Sequence, residues 1–519
     1  MKKTTKLPYR ISFFTRFQIG IGLILGLRIR DYRSAVRFMN HRFAGLPLSI
    51  RLVKLAIWGL KMSFIEIPNS SPWFSFPRNV SNTSHWLKDG NPYENYPWSQ
   101  GEITVPQNVE VVVVGAGFGG SCVAYHWSKI GNGKLLLLDQ SLPASGAAGR
   151  NAGFLTAAGG SYHGYYVYEP VRAYASKIRP ELTDEQLDSI AKGFSDAYLK
   201  ALTESVLGIH ATIDSNAIEC DLKNRGGFIL SDKDDASRVQ RALDLGAELG
   251  WKGWRRIEAE EVEKEIGIVG DNFAGLQEGT STWNPARWVW GLIEVALRSD
   301  NVELYTDTKV LSVEPNANGY IVTTSRGTIF AKKVVNATEA NTSEVFGKFL
   351  PGNDYELIRT HKSQAMYASD IIDGMAKGKA ICLPLGWFHG QESGFLFGSD
   401  NHRVPASHAN KNDPSRFVSM YMSATATQTW APEKFRVIRE WTGCVGQAPD
   451  KFPVVGALTD PGVFMLGGFA GAGSAISYGA ALEIVEQITG NIRQESLWNQ
   501  ELFGVKRFLK TDSYGQSFI

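Results

Sequence analysis

The apolar and polar positions around residue 115 predict a strand, a glycine turn, a helix and a second strand, in that order. The unbroken β-branched run at residues 111–114 is typical of a strand buried on both faces of a parallel sheet. Residues 118–130 are predicted as a helix, and "KLLLLD" as a second strand that ends in Asp139. This order of elements predicts a βαβ unit.

The turn of this unit has three glycines in the spacing G-x-G-x-x-G, at Gly115, Gly117 and Gly120. The first allows the tight turn, the second lets a pyrophosphate approach the backbone, and the third lets the helix pack closely on the strand. The N–H groups at the start of that helix would face the phosphates. Asp139, 19 residues after Gly120, can accept hydrogen bonds from an adenosine ribose. The unit is therefore predicted to bind a dinucleotide.

Two further helices are predicted downstream. Thr183 is the expected N-cap of a helix within residues 179–207, with Glu185 and Gln186 in its first turn. Near the end of the chain, "VFML" predicts a strand, and residues 477–489 predict a helix after a glycine-rich loop. No strand with a terminal acid follows this last helix, so a second dinucleotide-binding unit is not predicted.

The first 62 residues differ in charge from the rest of the chain. They contain 13 Lys or Arg residues and a single acid, Asp31, whereas the remainder contains 41 basic and 51 acidic residues. Their apolar run at 17–27 is shorter than the roughly 20 residues of a transmembrane helix. The segment 49–64 is compatible with an amphipathic basic helix on an anionic membrane surface. Two alternatives stay open, an organelle transit peptide and an arm that packs on its own body or on another subunit.

The composition excludes several other classes. Of the 519 residues, 43% are hydrophobic and 20% charged, which is typical of a globular protein. The cysteines have no metal-ligand spacing, so neither a disulfide framework nor a metal site is predicted, and no nucleic-acid partner is expected. Residues 63–106 are rich in Pro, Asn, Ser and Trp and indicate a linker draped over a surface.

Three sequence blocks carry a family resemblance that covers about four fifths of the chain. "ASGAAGRNAGF" (144–154) resembles the "ASGRNGG" segment of FAD-dependent amine and amino-acid oxidoreductases of the D-amino-acid oxidase superfamily, such as glycine oxidase, sarcosine oxidase and γ-glutamylputrescine oxidase. Residues 301–340 resemble the returning part of the FAD domain. "WTGCVGQAPDKFPVVG" and residues 463–490 resemble the last flavin-contacting block.

This resemblance implies FAD as the cofactor and an α/β fold. A Rossmann-type FAD-binding domain of the glutathione-reductase-like class would be joined to an α+β substrate domain with an antiparallel sheet, and to the basic helical arm. The implied cofactor contacts are Gly115, Gly117, Phe118, Gly120, Asp139, Gln140, Gly149, Arg150, Asn151, Ala152, Val310, Ala337, Gly443, Gly468, Gly471 and Gly473. The expected divisions are 1–62 for the arm, 63–106 for the linker, 107–204, 284–345 and 440–495 for the FAD domain, 205–283 and 346–439 for the substrate domain, and 496–519 for a C-terminal tail.

Departures from the family pattern occur close to the expected flavin. Ala148 replaces the serine of "ASGRNGG", and Ala470 and Ala472 replace the serine and histidine of the family's "GFSGHG". Some members attach flavin through a cysteine at the position that matches Gly443, one residue before Cys444. Flavin binding through backbone groups would tolerate these changes, and Cys444 is expected to be a buried structural cysteine.

The segment "ICLPLGWFHGQESGFLFGSDNHR" (381–403) departs from two subfamilies. Where glycine oxidase-like members have a carboxylate-clamping arginine, this chain has Leu385 and Gly386. Where sarcosine oxidase-like members have an oxygen-activating lysine, it has Leu396. The segment is more similar to that of γ-glutamylputrescine oxidase, so an amine or an unusual amino acid is the expected substrate.

Polar and aromatic residues of the expected substrate domain are candidates to line the pocket: Arg359, His361, Lys362, Tyr367, Trp387, His389, His402 and Arg403. His361 and Lys362 are the expected catalytic residues, because the superfamily strand that "RTHKSQAMY" resembles passes the flavin.

The implied reaction is hydride transfer from the carbon beside an amine nitrogen to flavin N5, giving an imine that water hydrolyses. Oxygen or a quinone would accept the electrons. Two alternatives are a membrane-associated FAD-dependent hydroxy-acid or polyol-phosphate dehydrogenase, and a non-catalytic flavoprotein that serves assembly. We expect the protein in the cytoplasm, at a membrane surface if the arm binds lipid, or in an organelle matrix if the arm is a transit peptide.

Overall fold

The computed structural model of the protein describes residues 12–43, 45–70, 80–156, 162–231, 236–268, 273–370, 375–383, 386–399, 401–430, 435–491, 493 and 496–519. The helices are α1 (Phe13–Gly26), α2 (Ile29–Arg42), α3 (Leu48–Lys61), α4 (Ile67–Ser70), α5 (Phe118–Ile130), α6 (Tyr162–Ile178), α7 (Asp184–Asn216), α8 (Ala236–Glu248), α9 (Ala259–Ile266), α10 (Pro285–Ala296), α11 (Thr342–Phe346), α12 (Arg416–Trp430), α13 (Gly473–Thr489) and α14 (Gln500–Phe503). The strands are β1 (Asn108–Val114), β2 (Leu135–Leu138), β3 (Phe154–Leu155), β4 (Gly227–Leu230), β5 (Trp254–Ile257), β6 (Ala274–Gln277), β7 (Ser281–Thr282), β8 (Val302–Tyr305), β9 (Val310–Asn316), β10 (Gly319–Thr324), β11 (Gly327–Asn336), β12 (Arg359–Ala368), β13 (Ala380–Leu383), β14 (Gly386–Gln391), β15 (Gly394–Ser399), β16 (His402–Arg403), β17 (Val437–Gln447), β18 (Val454–Ala457) and β19 (Val463–Gly467).

The first large sheet contains the predicted βαβ unit. Its strands β19, β11, β1, β2 and β8 lie side by side and run parallel, while β18 is antiparallel to β19 and the β9–β10 hairpin extends from β11. Residues 111–114 pair in register with residues 135–138, and both segments are buried, as the apolar runs predict. Helix α5 has the predicted bounds and packs against α10 and α13.

Helix α7 confirms the cap expected from the sequence. The Thr183 hydroxyl accepts a hydrogen bond from the Gln186 N–H at 3.3 Å, and the Gln186 side chain accepts one from the Thr183 N–H at 3.0 Å. This reciprocal pair satisfies two N–H groups at the helix N-terminus. The helix continues past the predicted segment to Asn216 and packs on α6 and α13.

The second large sheet has the strand order β16-β12-β15-β14-β13-β4-β6-β5, and β17 also pairs with β12. All of these neighbours are antiparallel except β13 and β4. The α/β fold with a second, antiparallel sheet is thus confirmed. Strand β17 lies in this sheet, although residues 440–447 fall within the range expected for the FAD domain. The domain boundaries themselves stay predictions.

The basic arm consists of α1, α2 and α3, and a π-helical segment connects α3 to α4. Asp31 anchors it to the body, because its buried carboxylate accepts a hydrogen bond from the Arg416 N–H at 2.8 Å, at the start of α12. Met39 and Met62 join the same apolar cluster as Phe417 of α12. One side of the arm therefore packs on its own body. Among the helices that the structure describes, none combines the length and apolarity that crossing a bilayer requires.

From residue 80 onward the linker lies against the segment 144–154. The Ser84 hydroxyl donates to Gly149 O at 2.6 Å, and Trp86 Nε1 donates to Asn151 O at 2.8 Å. The C-terminal tail is also packed, since Arg507 forms a buried ion pair with Asp450 at 2.9 Å. The linker therefore holds the segment 144–154 in place, and the tail is fixed to the chain that follows β17.

Candidate active site

A cavity of about 630 Å³ lies between the two large sheets. The carboxyl ends of β1, β2 and β11 open into it, as expected for a ligand site at the edge of a parallel sheet. The predicted cofactor residues that line it are Gly115, Gly117, Phe118, Asp139, Gln140, Arg150, Asn151, Ala152, Val310, Ala337, Gly443, Gly471 and Gly473. The structure therefore brings together residues that are more than 300 positions apart in the chain.

The glycine turn leaves space for a ligand at one position and none at the others. A Cβ on Gly117 would meet only the Ala148 Cβ, at 3.8 Å, so this position faces open cavity. A Cβ on Gly115, which has φ +104°, would lie 2.7 Å from Ala337 O. Helix α5 begins directly after Gly117, and its first N–H groups face a site suited to phosphate. The turn fits the pyrophosphate of a dinucleotide.

Three of the predicted cofactor residues do not line the cavity, and packing explains each. A Cβ on Gly120 would lie 1.8 Å from Gly115 O, so this glycine lets α5 approach the turn. A Cβ on Gly149 would lie 2.2 Å from Ala144 O. Gly468 has φ +68° and donates its N–H to a carboxylate at 2.7 Å. These three glycines therefore allow close backbone packing next to the cavity without lining it.

Asp139 lines the cavity and also holds the turn. Its two carboxylate oxygens accept hydrogen bonds from the N–H groups of Ala116 and Ser141, each at 2.8 Å. Burial raises the pKa of Asp139 to about 6, against the two N–H donors, which favour the charged form. Each oxygen can accept a second hydrogen bond, so the side chain fits the predicted contact with a ribose.

Glu339 is a half-buried acid in the cavity wall that was not predicted from the sequence. It accepts hydrogen bonds from the N–H groups of Gly446 at 2.9 Å, Gly468 at 2.7 Å and Phe469 at 3.3 Å. Burial raises its pKa to about 7, while these three donors lower it. Glu339 thus ties the turn after β11 to strand β17 and to the loop after β19. The sequence offered one indication that Glu339 belongs to the site: it lies two residues after Ala337, in the turn at the end of a strand.

The structure does not bring His361 and Lys362, the expected catalytic residues, to the cavity. Lys362 is buried on the other face of β12, where its ammonium group pairs with Asp413 and donates to Lys411 O at 2.8 Å. Side chains alternate along a strand, and Ser363 is the residue of this segment that lines the cavity. The resemblance identified the correct strand, but Lys362 lies on the face away from the cavity. His361 is on the same face as Ser363 but is buried and does not line the cavity.

Of the other pocket candidates, Trp387 lines the cavity. His389 is buried behind the wall, where its Nδ1 donates to Ala152 O at 3.0 Å, and burial lowers its pKa to about 4. Tyr367 stacks on the ring of His85. Three further candidates lie away from the cavity: Arg359 is exposed, Arg403 pairs with Glu356, and His402 is opposite Lys362 in the second sheet.

The structure also shows where the residues that depart from the family pattern lie. Ala148 and Ala472 line the cavity with small apolar side chains. Leu396 is fully buried in β15, and Leu385 lies outside the described residues. Cys444 follows Gly443 in the wall, and burial raises its pKa to about 11, which keeps the thiol protonated at neutral pH. In the part of the chain that the structure describes, no three His, Cys, Asp or Glu side chains gather as a metal site would require.

Sequence comparison identifies the family. The model of the DAO family, described as FAD dependent oxidoreductase, matches residues 110–487. The chain belongs to this family. It is an FAD-dependent oxidoreductase, and the glycine turn, Asp139 and the last glycine-rich loop are the parts that fit the cofactor. No curated protein sequence gives a significant match to the chain.

Solved structures of enzymes in this class have the same fold. Glycine oxidase from Geobacillus kaustophilus superposes with a TM-score of 0.61 at 16% identity, covering 78% of this chain and 99% of that chain. L-amino acid deaminase from Proteus vulgaris gives 0.58 at 16% identity, with 79% and 99% covered. L-proline dehydrogenase from P. horikoshii gives 0.58 at 17% identity, with 78% and 99% covered. At these identities the likeness is one of fold.

Proposed function

We propose that the protein oxidises the C–N bond of an amine or amino acid. The observation that supports this most is one continuous cavity that joins the FAD cradle to a second end between α7 and the antiparallel sheet. Bound FAD supplies a hydride acceptor for the carbon beside an amine nitrogen, so that an imine forms and water hydrolyses it. The chain would hold and orient both molecules and exclude bulk water.

The residues assigned to each task follow from their positions. Gly117 and the start of α5 would hold the pyrophosphate, and Asp139 the ribose. Trp387 and Phe154 belong to the cavity wall contributed by the second end, where their rings would position the substrate. Hydride transfer from a neutral amine needs no protein base, which is consistent with a wall whose second end lacks His, Asp and Glu among the described lining residues.

Anaerobic reduction of the flavin tests this proposal. Purified protein that contains FAD is mixed with panels of amines, amino acids, 2-hydroxy acids and glycerol phosphate, and the loss of the oxidised flavin absorbance is followed. We expect bleaching by an amine or amino acid. Bleaching by a hydroxy acid or polyol phosphate alone would contradict the proposal in favour of the alternative dehydrogenase, and no bleaching by any panel would favour an assembly role.

A quinone is the electron acceptor we propose. Leu396 stands where the resemblance to sarcosine oxidase-like members calls for an oxygen-activating lysine, and its buried side chain offers no charge to assist oxygen. The reduced flavin should therefore react with a soluble quinone at least tenfold faster than with oxygen. Equal or faster reaction with oxygen in a stopped-flow comparison would contradict this.

We further propose that the arm attaches the enzyme to an anionic membrane surface. Large apolar side chains on α1 and α3 are exposed, including Phe13, Phe14, Phe17, Leu25, Leu48, Leu52, Val53, Ile57 and Leu60. The exposed charge nearby is positive, because Asp31 is buried and Glu66 pairs with Lys61 at 2.9 Å. Each basic side chain near such a surface contributes about 1 kcal/mol, an effect that salt screens.

Cosedimentation with vesicles tests this attachment without disturbing the arm's buried contacts. Leu52 and Ile57 are 57% and 59% exposed, so the double change to Glu should leave the fold intact. We expect the wild type to pellet with vesicles that contain phosphatidylglycerol, less so at high salt, and the double variant to bind at least tenfold more weakly. Leu207 and Leu311 are 57% and 55% exposed outside the arm, and their double change to Glu is the matched control.

If the wild type does not pellet, or if the Leu52/Ile57 variant binds as well as the control, the membrane proposal is wrong. If the wild type then forms a dimer and the Leu52/Ile57 variant does not, the exposed apolar face of the arm binds a second subunit.

A further inference from the structure

The second end of the cavity has an uncharged wall. The residues that β4, β6, β13 and β14 contribute to it carry neutral side chains, such as Ile229, Gln277, Cys382 and Trp387. Phe154 and Leu202 add further apolar surface. Within the described residues, these strands therefore offer no cation to a substrate carboxylate.

Four of the five charged residues that line the cavity are held by other groups of the protein, whereas Arg150 makes no ion pair in the described structure. Asp139 and Glu339 are held by backbone N–H groups, and Lys309 forms an ion pair with Glu344. Arg150 reaches toward β17, where its guanidinium donates to Thr442 O at 3.3 Å. A buried carboxylate without a cationic partner is strongly disfavoured. The second end is therefore better suited to a substrate without a free carboxylate.

One polar group of this wall lacks a protein partner. The Gln277 side chain accepts a hydrogen bond from the Thr280 hydroxyl at 3.1 Å, which fixes its carbonyl end. The residue is only 3% exposed, and its Nε2 is buried without a hydrogen-bond partner in the described structure. An unpaired buried donor is unfavourable, and a ligand that supplies an acceptor removes this penalty.

We infer that the substrate is an amine whose carboxyl group is absent or masked as an amide or ester, and that Gln277 donates a hydrogen bond to a neutral oxygen of it. This inference rests on the proposed amine oxidation and narrows its substrate class. Gln277 determines specificity in this arrangement, and Thr280 is the positioning residue that orients the amide. The surrounding aromatic side chains select an apolar substituent.

Binding of ligands that cannot be oxidised tests the inference without turnover. α-Methylphenylalanine and α-methylphenylalaninamide both lack hydrogen on the carbon beside the nitrogen and differ only in the masked carboxylate. Each is titrated into the FAD-loaded protein, and binding is measured by calorimetry and by the change in the flavin spectrum. We expect the amide to bind at least tenfold more tightly than the acid.

Variants at Gln277 test the residue itself. Gln277→Leu and Gln277→Glu should each weaken binding of the amide about three- to tenfold by removing the N–H donor, with little effect of Gln277→Leu on the acid. FAD content and the thermal unfolding temperature show that each variant is folded. Gln107→Leu, at an exposed position outside the cavity, is the matched control and should bind both ligands like the wild type.

Three results would overturn the inference. Tighter binding of the acid would mean that a cation, with Arg150 as the first candidate, receives the carboxylate. Equal binding of the amide by the wild type and both Gln277 variants would remove the role of that residue. Failure of both ligands to bind would exclude this substrate class. Each leaves the proposed amine oxidation to be decided by the anaerobic screen.

Discussion

Gly117→Val should abolish FAD retention while leaving the apoprotein folded. The substituted Cβ would meet only the Ala148 Cβ, at 3.8 Å, and φ at Gly117 is −90°, which any residue adopts. The two added methyl groups would therefore enter the cavity without straining the protein. Valine there competes with the pyrophosphate for the same space.

The expected loss of FAD affinity can be worked from two effects. Overpacking against the cofactor costs about 1–3 kcal/mol. Displacing the phosphate from the N–H groups of α5 costs about 1.5–3 kcal/mol, as for other hydrogen bonds to charged groups. Together these amount to roughly a hundredfold to ten-thousandfold increase in the dissociation constant. Titration of apoprotein with FAD, followed by quenching of the flavin fluorescence, measures it.

Two matched valine substitutions separate cofactor binding from folding. At Gly120 the Cβ would lie 1.8 Å from Gly115 O, so Gly120→Val should prevent folding of the turn itself and lower the unfolding temperature. At Gly59, in the arm, nothing lies within 4 Å, so Gly59→Val should retain FAD and stability. Wild-type FAD affinity in folded Gly117→Val would refute the assignment of the turn.

Three further changes test other parts of the site. Asp139→Asn should raise the FAD dissociation constant about ten- to a hundredfold. The affinity of the wild type for FAD should fall as the carboxylate protonates below about pH 6, so the dissociation constant of the variant should depend less on pH in this range. Unchanged FAD binding by the variant would reduce Asp139 to a structural role. Glu339→Gln should destabilise the apoprotein by about 1–3 kcal/mol, because an NH₂ group then faces a backbone N–H. The raised pKa of Glu339 stabilises the wild type at low pH, and this contribution is lost as pH rises from about 4.5 through about 7, so urea unfolding should show that part of the pH dependence missing in the variant. Lys362→Met should keep FAD and the rate of anaerobic flavin reduction within about twofold, since the side chain lies outside the cavity; a loss of tenfold or more with FAD retained would restore its catalytic role.

Local sequence signals predicted the parts of the site that one short segment determines. The turn from Gly115 to Gly120 and the acid at Asp139 follow from a single βαβ unit, whose backbone needs dictate the residue types. The role of Glu339 could not be predicted in the same way, because its three N–H partners come from β17 and from the loop after β19. Such contacts depend on how two sheets meet.

The catalytic expectation shows a second limit. Side chains on a strand alternate with period two, so an error of one position moves a residue to the opposite face. The segment around β12 was correctly expected near the cavity, yet Ser363 lines it while Lys362 points to Asp413. Gln277 gave no signal at all, because an unpaired buried amide is visible only after the wall around it has formed.

Isotopic substitution at the reacting carbon tests the central claim most directly. An amine that bleaches the flavin in the anaerobic screen is prepared with deuterium on the carbon beside the nitrogen, and flavin reduction is followed in a single turnover together with the products. Oxidation of the C–N bond predicts that deuterium slows flavin reduction severalfold and that one carbonyl compound forms per flavin reduced. Reduction at an unchanged rate with no carbonyl product would contradict amine oxidation by this enzyme.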